Sequence, residues 1–215
     1  MKFICNMIYG ILSSKSCLLS EIARNLHENI SLRKTVTRLS RNLNDFNHGE
    51  TLFEEYLKTI KNRYTDKSIL IIDGSDITKP ASTKLEGLCE VRDGSTGEIG
   101  TGYHTIGAAV LSDKKLPYGV YSGIYSSREK NFISEDEEIL NCFEFLSNHF
   151  SKSNIRTMDR GYDCNTYYRY FIKNKEKFII RAKKNRNVIY KDETVNILDL
   201  TKRFKGKYKL EYADR

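Results

Sequence analysis

Two short stretches, Ser68-Ile69-Leu70-Ile71-Ile72-Asp73 and Ile155-Arg156-Thr157-Met158-Asp159, decide how this chain reads. Each is an apolar run closed by an aspartate. The first is long and β-branched enough to predict a strand buried on both faces. A carboxylate ending such a strand stands on the rim of a sheet, half out of the apolar core. Two of them on neighbouring strands make a cup of oxygen ligands for a hard divalent cation. A lone aspartate before a glycine is more often turn chemistry. Here, however, Asp73-Gly74-Ser75-Asp76 is echoed by Asp159-Arg160-Gly161-Tyr162-Asp163, and each glycine would let backbone approach a phosphate closely. The repetition favours a metal site at Asp73 and Asp159. Asp76 and Asp163 lie past the expected strand ends and are expected to cap the segments that follow.

Working outward, Val91-Arg92-Asp93-Gly94-Ser95-Thr96-Gly97 is a hairpin signal. Residues 102–111 and 116–125 are apolar enough for strands, separated by the turn Asp113-Lys114-Lys115. Ser134 precedes the acidic turn Glu135-Asp136-Glu137-Glu138, a fitting helix N-terminus. The spacing of Ile139, Cys142, Phe143, Leu146 and Phe150 gives that helix its apolar face. After the Asp159 strand, a helix is expected over 166–173 and a strand over 178–181. The order βββ-α-β-α-β predicts an α/β fold, a mixed sheet with helices packed on it in the ribonuclease-H-like arrangement.

Residues 1–60 carry no strand pattern. Phe3, Ile4, Met7, Ile8, Ile11 and Leu12 recur at helical spacing. Ser20 is placed to cap a helix over 21–26. A second helix, over 31–43, has the apolar stripe Leu32, Val36, Leu39 and Leu43, with Lys34, Arg38 and Arg41 on another face. The break near Asn29 makes the pair a candidate helix-turn-helix for DNA, the alternative being a solvated bundle face. The polar run 61–67 is a plausible linker. The expected organisation is a helical region over 1–66, a sheet domain over 67–182 and a β-rich segment over 183–215.

The 215 residues, 39% hydrophobic and 11% aromatic, suffice for a packed core. The net charge of +8 and a pI near 9.1 favour polyanionic partners. The densest charge runs from Lys173 to Lys191, and Arg181, Lys183, Lys184 and Arg186 follow the strand expected beside the Asp159 strand. They are a candidate DNA-binding surface near the metal, or else the lysine guard of a solvated edge. Five scattered cysteines show no zinc or disulfide spacing and read as reduced thiols. His104 reads as a satisfied core histidine, and His27, His48 and His149 have no ligand spacing. No cleavable leader and no spanning run are found, so a cytoplasmic protein with no membrane partner is expected. Neither phosphate-binding nor dinucleotide-binding glycine motifs occur, which leaves ATP and NAD chemistry without support.

Taken in order, Ile72-Asp73-Gly74-Ser75-Asp76-Ile77-Thr78-Lys79, Leu85-Glu86-Gly87-Leu88, Val91-Arg92-Asp93-Gly94-Ser95, Asp159-Arg160-Gly161-Tyr162-Asp163 and Lys177-Phe178-Ile179-Ile180-Arg181 resemble the blocks of DDE transposases of bacterial insertion sequences, the insertion-sequence-four-like group. The resemblance covers most of residues 20–195, and the Asp-Arg-Gly-Tyr-Asp block is its most specific part. It implies a ribonuclease-H-like core in which two aspartates and a glutamate hold two Mg²⁺ (or Mn²⁺) ions. The aspartates fall on Asp73 and Asp159. The family's glutamate lies in a Tyr-x-x-Arg-x-x-x-Glu segment that has no match in this sequence, so the resemblance is to the N-terminal portion of such an enzyme. Residues from Lys183 on, including Lys207-Tyr208-Lys209-Leu210-Glu211-Tyr212, resemble the start of the family's inserted β domain.

The implied partners are transposon end repeats and target DNA, with a homodimer in a synaptic complex. A DNA-binding remnant that does not cut is the alternative. A haloacid-dehalogenase-like phosphatase needs an aspartate two residues after the first, where this chain has Ser75.

Overall fold

The computed structural model describes residues 2–92 and 96–204. The chain divides into two compact units, Met1–Thr59 and Ile60–Arg215. Among the described residues no single helix is long and apolar enough to cross a membrane.

The first unit is helical: α1 (Lys2–Ser14), α2 (Leu19–Asn25), α3 (Leu32–Asn44) and α4 (Gly49–Ile60). Its core is Ile22, Ala23 and Leu39, flanked by Phe3, Met7, Ile11, Leu19, Leu26 and Val36. The apolar stripe expected on α3 is only half used, since Val36 and Leu39 face this core while Leu32 and Leu43 stay exposed. Ser20 does not cap. The helix begins two residues earlier than expected, at Leu19, and Ser16 Oγ accepts the Leu18 N–H at 3.1 Å ahead of it. Thr35 is buried against Glu28, which also binds Arg38.

Gly10 is what lets α1 and α2 touch, with the two helices bent by 92° from one another. A Cβ there would lie 2.4 Å from Ile22 Cγ2 and 3.3 Å from Ile22 Cα.

The second unit is built on one six-stranded mixed sheet: β1 (Ile69–Thr78), β2 (Cys89–Arg92), β3 (Ile99–Leu111), β4 (Pro117–Tyr125), β5 (Ile155–Met158) and β6 (Phe178–Ile180). The order is β2-β3-β1-β5-β6, and β4 shares with β2 the far edge of the long β3. β1, β5 and β6 run parallel, and the other pairings are antiparallel. The sheet therefore has one strand more than the expected βββ-α-β-α-β, because the hairpin signal contributes β2. Its tip, Asp93–Ser95, lies outside the described residues. β7 (Asn187–Tyr190) and β8 (Glu193–Asn196) form a separate two-stranded sheet, followed by α7 (Ile197–Arg203). The strand expected over 207–212 lies outside the described residues.

Two helices cover one face of the large sheet. Ser134 Oγ accepts the Glu137 N–H at 3.1 Å and starts α5 (Glu135–His149), and α6 (Asn165–Asn174) follows β5. Phe143 of α5 meets Phe171 of α6 with ring centroids 4.7 Å apart, and Leu70, Ile72, Ile106, Val110, Val120 and Met158 of the sheet are buried. The expectation that β1 is buried on both faces fails. Ile71 is 40% exposed and Ile179 of β6 is 58% exposed, because α5 and α6 lie on the same side.

β5 hides a charge that its sequence does not announce. Arg156 is 1% exposed, bound to the Ser151 and Asn154 carbonyls and, at 3.1 Å, to the buried Glu176. Burial lowers the pKa of Arg156, and Glu176 opposes that shift. Removing one partner of so buried a pair costs roughly 3–5 kcal/mol.

Gly10→Ala tests the helical unit. Alanine gains about 1 kcal/mol of helix propensity, but overpacking against Ile22 costs about 1–3 kcal/mol. Because the nearest contact is far inside van der Waals range and Ile22 Cβ and the backbone Cα follow at 3.2 and 3.3 Å, the clash should win. Chemical denaturation followed by helix circular dichroism should show a net loss of stability, and a gain would contradict this packing.

Candidate active site

The parallel pairing of β1 with β5 sets the site. Ile71 stands opposite Thr157, so Asp73 and Asp159, each two residues further on, reach the same level of the sheet. β5 stops at Met158, whereas β1 does not end at Asp73 as its apolar run implies. It continues to Thr78, because β3 supplies ladder partners as far as Gly102. Asp73 thus lies where β1 loses its parallel neighbour.

Asp159 turns out of β5 into a 3-10 turn, Arg160–Tyr162, and its Oδ1 accepts the Gly161 N–H at 2.6 Å. A Cβ on Gly161 would sit 2.9 Å from that oxygen, so any larger residue there would push the Asp159 carboxylate aside. The turn folds Tyr162 back under the sheet. Its hydroxyl would be 3.3 Å from a Cβ on Gly74, and burial followed by the charges of Asp73 and Asp159 raises its pKa. The phenol therefore stays neutral beside both carboxylates.

Asp73 and Asp159 line one pocket of about 600 Å³, with Asp76, His104, Glu135 and Tyr162 among its walls. Both are exposed, while Tyr162 is buried. Among the described residues, no group of three or more His, Cys, Asp or Glu side chains is arranged to hold a metal ion. Glu135 and Asp136 also reach the pocket, and Asp136 accepts a hydrogen bond from Tyr167 Oη. Sequence reasoning missed them, because the acidic first turn of α5 is fully explained as helix capping.

The two flanking aspartates do not cap as expected. Asp76 is inside β1, where its Oδ1 lies 2.7 Å from Nδ1 of its cross-strand partner His104. His104 is thereby satisfied, and its ring stacks on Tyr125. Asp163 is only 3% exposed and accepts from the Lys183 N–H at 2.5 Å, Tyr168 Oη at 2.7 Å and Arg186 Nη2 at 2.5 Å.

The basic tract after β6 divides into two roles. Arg181 and Lys183, with Arg160, line a second pocket of about 370 Å³ that also includes Asp159. Lys184 is exposed but outside that pocket. Arg186 is not an open DNA contact. Besides Asp163 it binds Asn165 Oδ1 at 2.6 Å and lies 5.4 Å over the Tyr168 ring. On α3, in the helical unit, Arg33, Lys34, Thr37, Arg41 and Asn42 line a shallow groove. Arg38 also borders it, but its guanidinium is paired with Glu28 at 2.6 Å.

Burial alone would raise the Asp163 pKa. The hydrogen bonds from Arg186, the Lys183 N–H and Tyr168 outweigh it and hold the carboxyl below its ordinary value of 3.8. The stability it contributes is therefore present above that ordinary value and lost as pH falls through the lower folded value. The Lys183 amide resonance should titrate with an apparent midpoint below 3.8 and lose that transition in Asp163→Asn. A midpoint above 3.8 would contradict the geometry.

No protein-family model and no curated protein matches this sequence. Among solved structures, the chain is similar to a piggyBac transposase, determined by cryo-electron microscopy in a synaptic complex with hairpin DNA. The TM-score is 0.50 at 11% identity, over 86% of this chain and 43% of that one. The chain thus spans less than half of the transposase's length, and the likeness is one of fold: a mixed sheet with helices, of the kind found in a DNA transposase.

Proposed function

We propose that this chain is a fragment of a DNA transposase of the insertion-sequence-four-like DDE group, carrying an incomplete catalytic core, without the family's glutamate, on a ribonuclease-H-like sheet. The observation that carries the reading is the level placement of Asp73 and Asp159 in one pocket, with Arg181 and Lys183 beside Asp159. The helical region (1–66) is read as a DNA-binding domain, 67–182 as the core, and the β7–β8 hairpin as the start of a β-rich insertion. Transposon end repeats and target DNA are the proposed partners, in a synaptic homodimer.

The donor set fits Mg²⁺, or Mn²⁺ in its place. Both side chains offer hard carboxylate oxygens, and Mg²⁺ in phosphoryl-transfer sites is held by one or two carboxylates plus water and substrate phosphates. When bound, such an ion activates the attacking water or 3′-hydroxyl and stabilises the leaving oxygen.

The chain's own residues set the geometry around it. Gly161 N–H fixes the Asp159 carboxylate, so one donor is oriented before any ligand arrives. The neutral Tyr162 hydroxyl adds a proton donor without adding charge. Arg181, Lys183 and Lys184 draw in the DNA backbone by releasing its counterions. Lys34 and Arg41 offer a second basic surface on α3, with Arg38 held back by Glu28.

A second reading, a DNA-binding module that does not cut, is favoured by one observation: no third acid joins the two aspartates in a metal-holding group among the described residues. A plasmid-nicking assay with Mn²⁺ tests whether these residues complete a cleavage centre on their own, since the family's glutamate segment has no match in this sequence. The 215-residue chain is expected to bind plasmid without nicking it. Nicking that disappears in Asp73→Asn would instead show that an acid of this chain, with Glu135, Asp136 and Asp76 at hand in the pocket, completes the centre.

The DNA surface has its own test. Neutralising Arg181, Lys183 and Lys184 together should flatten the plot of log affinity against log salt by about two to three units. An unchanged slope would return these residues to the role of a solvated edge.

A further inference from the structure

Between the end of β6 at Ile180 and the start of β7 at Asn187, six residues carry four positive charges. Like charges so close repel one another and drive a loop apart unless an anion gathers it. The anion here is Asp163. It sits directly after the 3-10 turn that follows Asp159, and it grips the basic loop at two points. One is the backbone N–H of Lys183, and the other is the guanidinium of Arg186, which also donates to the Asp163 carbonyl at 2.9 Å. Tyr168 Oη supplies a further donor to the carboxylate. Short, charge-assisted bonds of this kind are the strong ones.

With Arg186 consumed in this latch, the cations left facing the Asp159 side are Arg160, Arg181 and Lys183. All three are exposed and line the same small pocket. None of them is in a salt bridge among the described residues.

We propose that Arg160, Arg181 and Lys183 form a cradle for one DNA backbone phosphate beside Asp159, and that Asp163 is the positioning residue that holds this cradle in place. Asp163 touches no ligand itself. It acts through Lys183, whose backbone it fixes. The inference rests on the DNA reading above and deepens it by separating a phosphate contact (Lys183) from the latch (Asp163 with Arg186).

The sign of one substitution distinguishes a latch from a bystander. Removing a negative charge close to a polyanion site should, by electrostatics alone, leave DNA binding unchanged or tighten it. If Asp163 is the latch, Asp163→Asn frees the loop, so a non-specific duplex followed by fluorescence anisotropy at about 0.1 M salt should bind roughly three- to tenfold more weakly. The salt slope should flatten by about one unit, the share of one phosphate contact. Lys183→Gln should weaken binding similarly, and the double variant should be little worse than either single one, because both remove the same contact.

Hydrogen–deuterium exchange supplies the arm that does not depend on DNA. The peptide spanning 181–186 should exchange faster in Asp163→Asn, while the β1 and β5 peptides keep the parent's protection. If that variant does not fold, Tyr168→Phe, which removes one donor and no charge, carries the test in the same direction with a smaller effect.

Binding as tight as the parent's or tighter, or fully additive losses in the double variant, would overturn the latch. Faster exchange in Tyr168→Phe with unchanged binding would do the same. A parent chain with no salt-dependent DNA binding would sink the DNA reading and the cradle with it, while the exchange arm would still report whether Asp163 holds the loop.

Discussion

The site depends on one pairing, the three-residue parallel ladder that joins Ile69, Leu70 and Ile71 of β1 to Ile155, Arg156 and Thr157 of β5. A slip of one residue would put Asp73 and Asp159 at different heights and turn β5's side chains to the other face, since side chains alternate along a strand. What fixes the register is the buried face, on which Leu70, Ile72, Arg156 and Met158 are all buried. The level of the two aspartates at the rim is thus set by apolar packing below it.

Two ion pairs bracket β5. Arg156 and Glu176 lie at its start, wholly inside the core, and Asp163 and Arg186 lie just past its end. The first ties β5 to the turn between α6 and β6, and the second ties the Asp159 turn to the loop after β6. Neither pair is an economical source of stability, because desolvation offsets much of the attraction. Their effect is geometric. They hold the segment carrying Asp159 against the segment carrying Arg181 and Lys183, and that proximity is what the proposed DNA chemistry requires.

β1, β3, β4, β5 and β6 were legible in the sequence because they rest on local pattern: apolar runs of strand length, two of them closed by Asp with Gly close behind. The continuation of β1 through the polar Gly74–Thr78 stretch was not legible, because its ladder partners come from β3, far along the chain. Burial of Arg156 was hidden for a similar reason. An arginine in a short strand reads as outward, and only the fold brings Glu176 and two carbonyls to it. Asp163 and Arg186 were each visible as charges, but their pairing across 23 positions turned an expected cap and an expected DNA contact into one structural unit. Asp76 was misread as a cap because β1 was expected to stop before it.

Localised cleavage by bound iron offers the most direct test that Asp73 and Asp159 share a cation. Fe²⁺ replaces Mg²⁺ at carboxylate sites, and with peroxide it cuts the nearest backbone. The parent chain should be cut in two places, next to residues 73–74 and 159–161, with both cuts suppressed by excess Mg²⁺ and both lost in either Asp73→Asn or Asp159→Asn. Cuts confined to one of the two strands, or unchanged by either substitution, would contradict a metal held jointly between them.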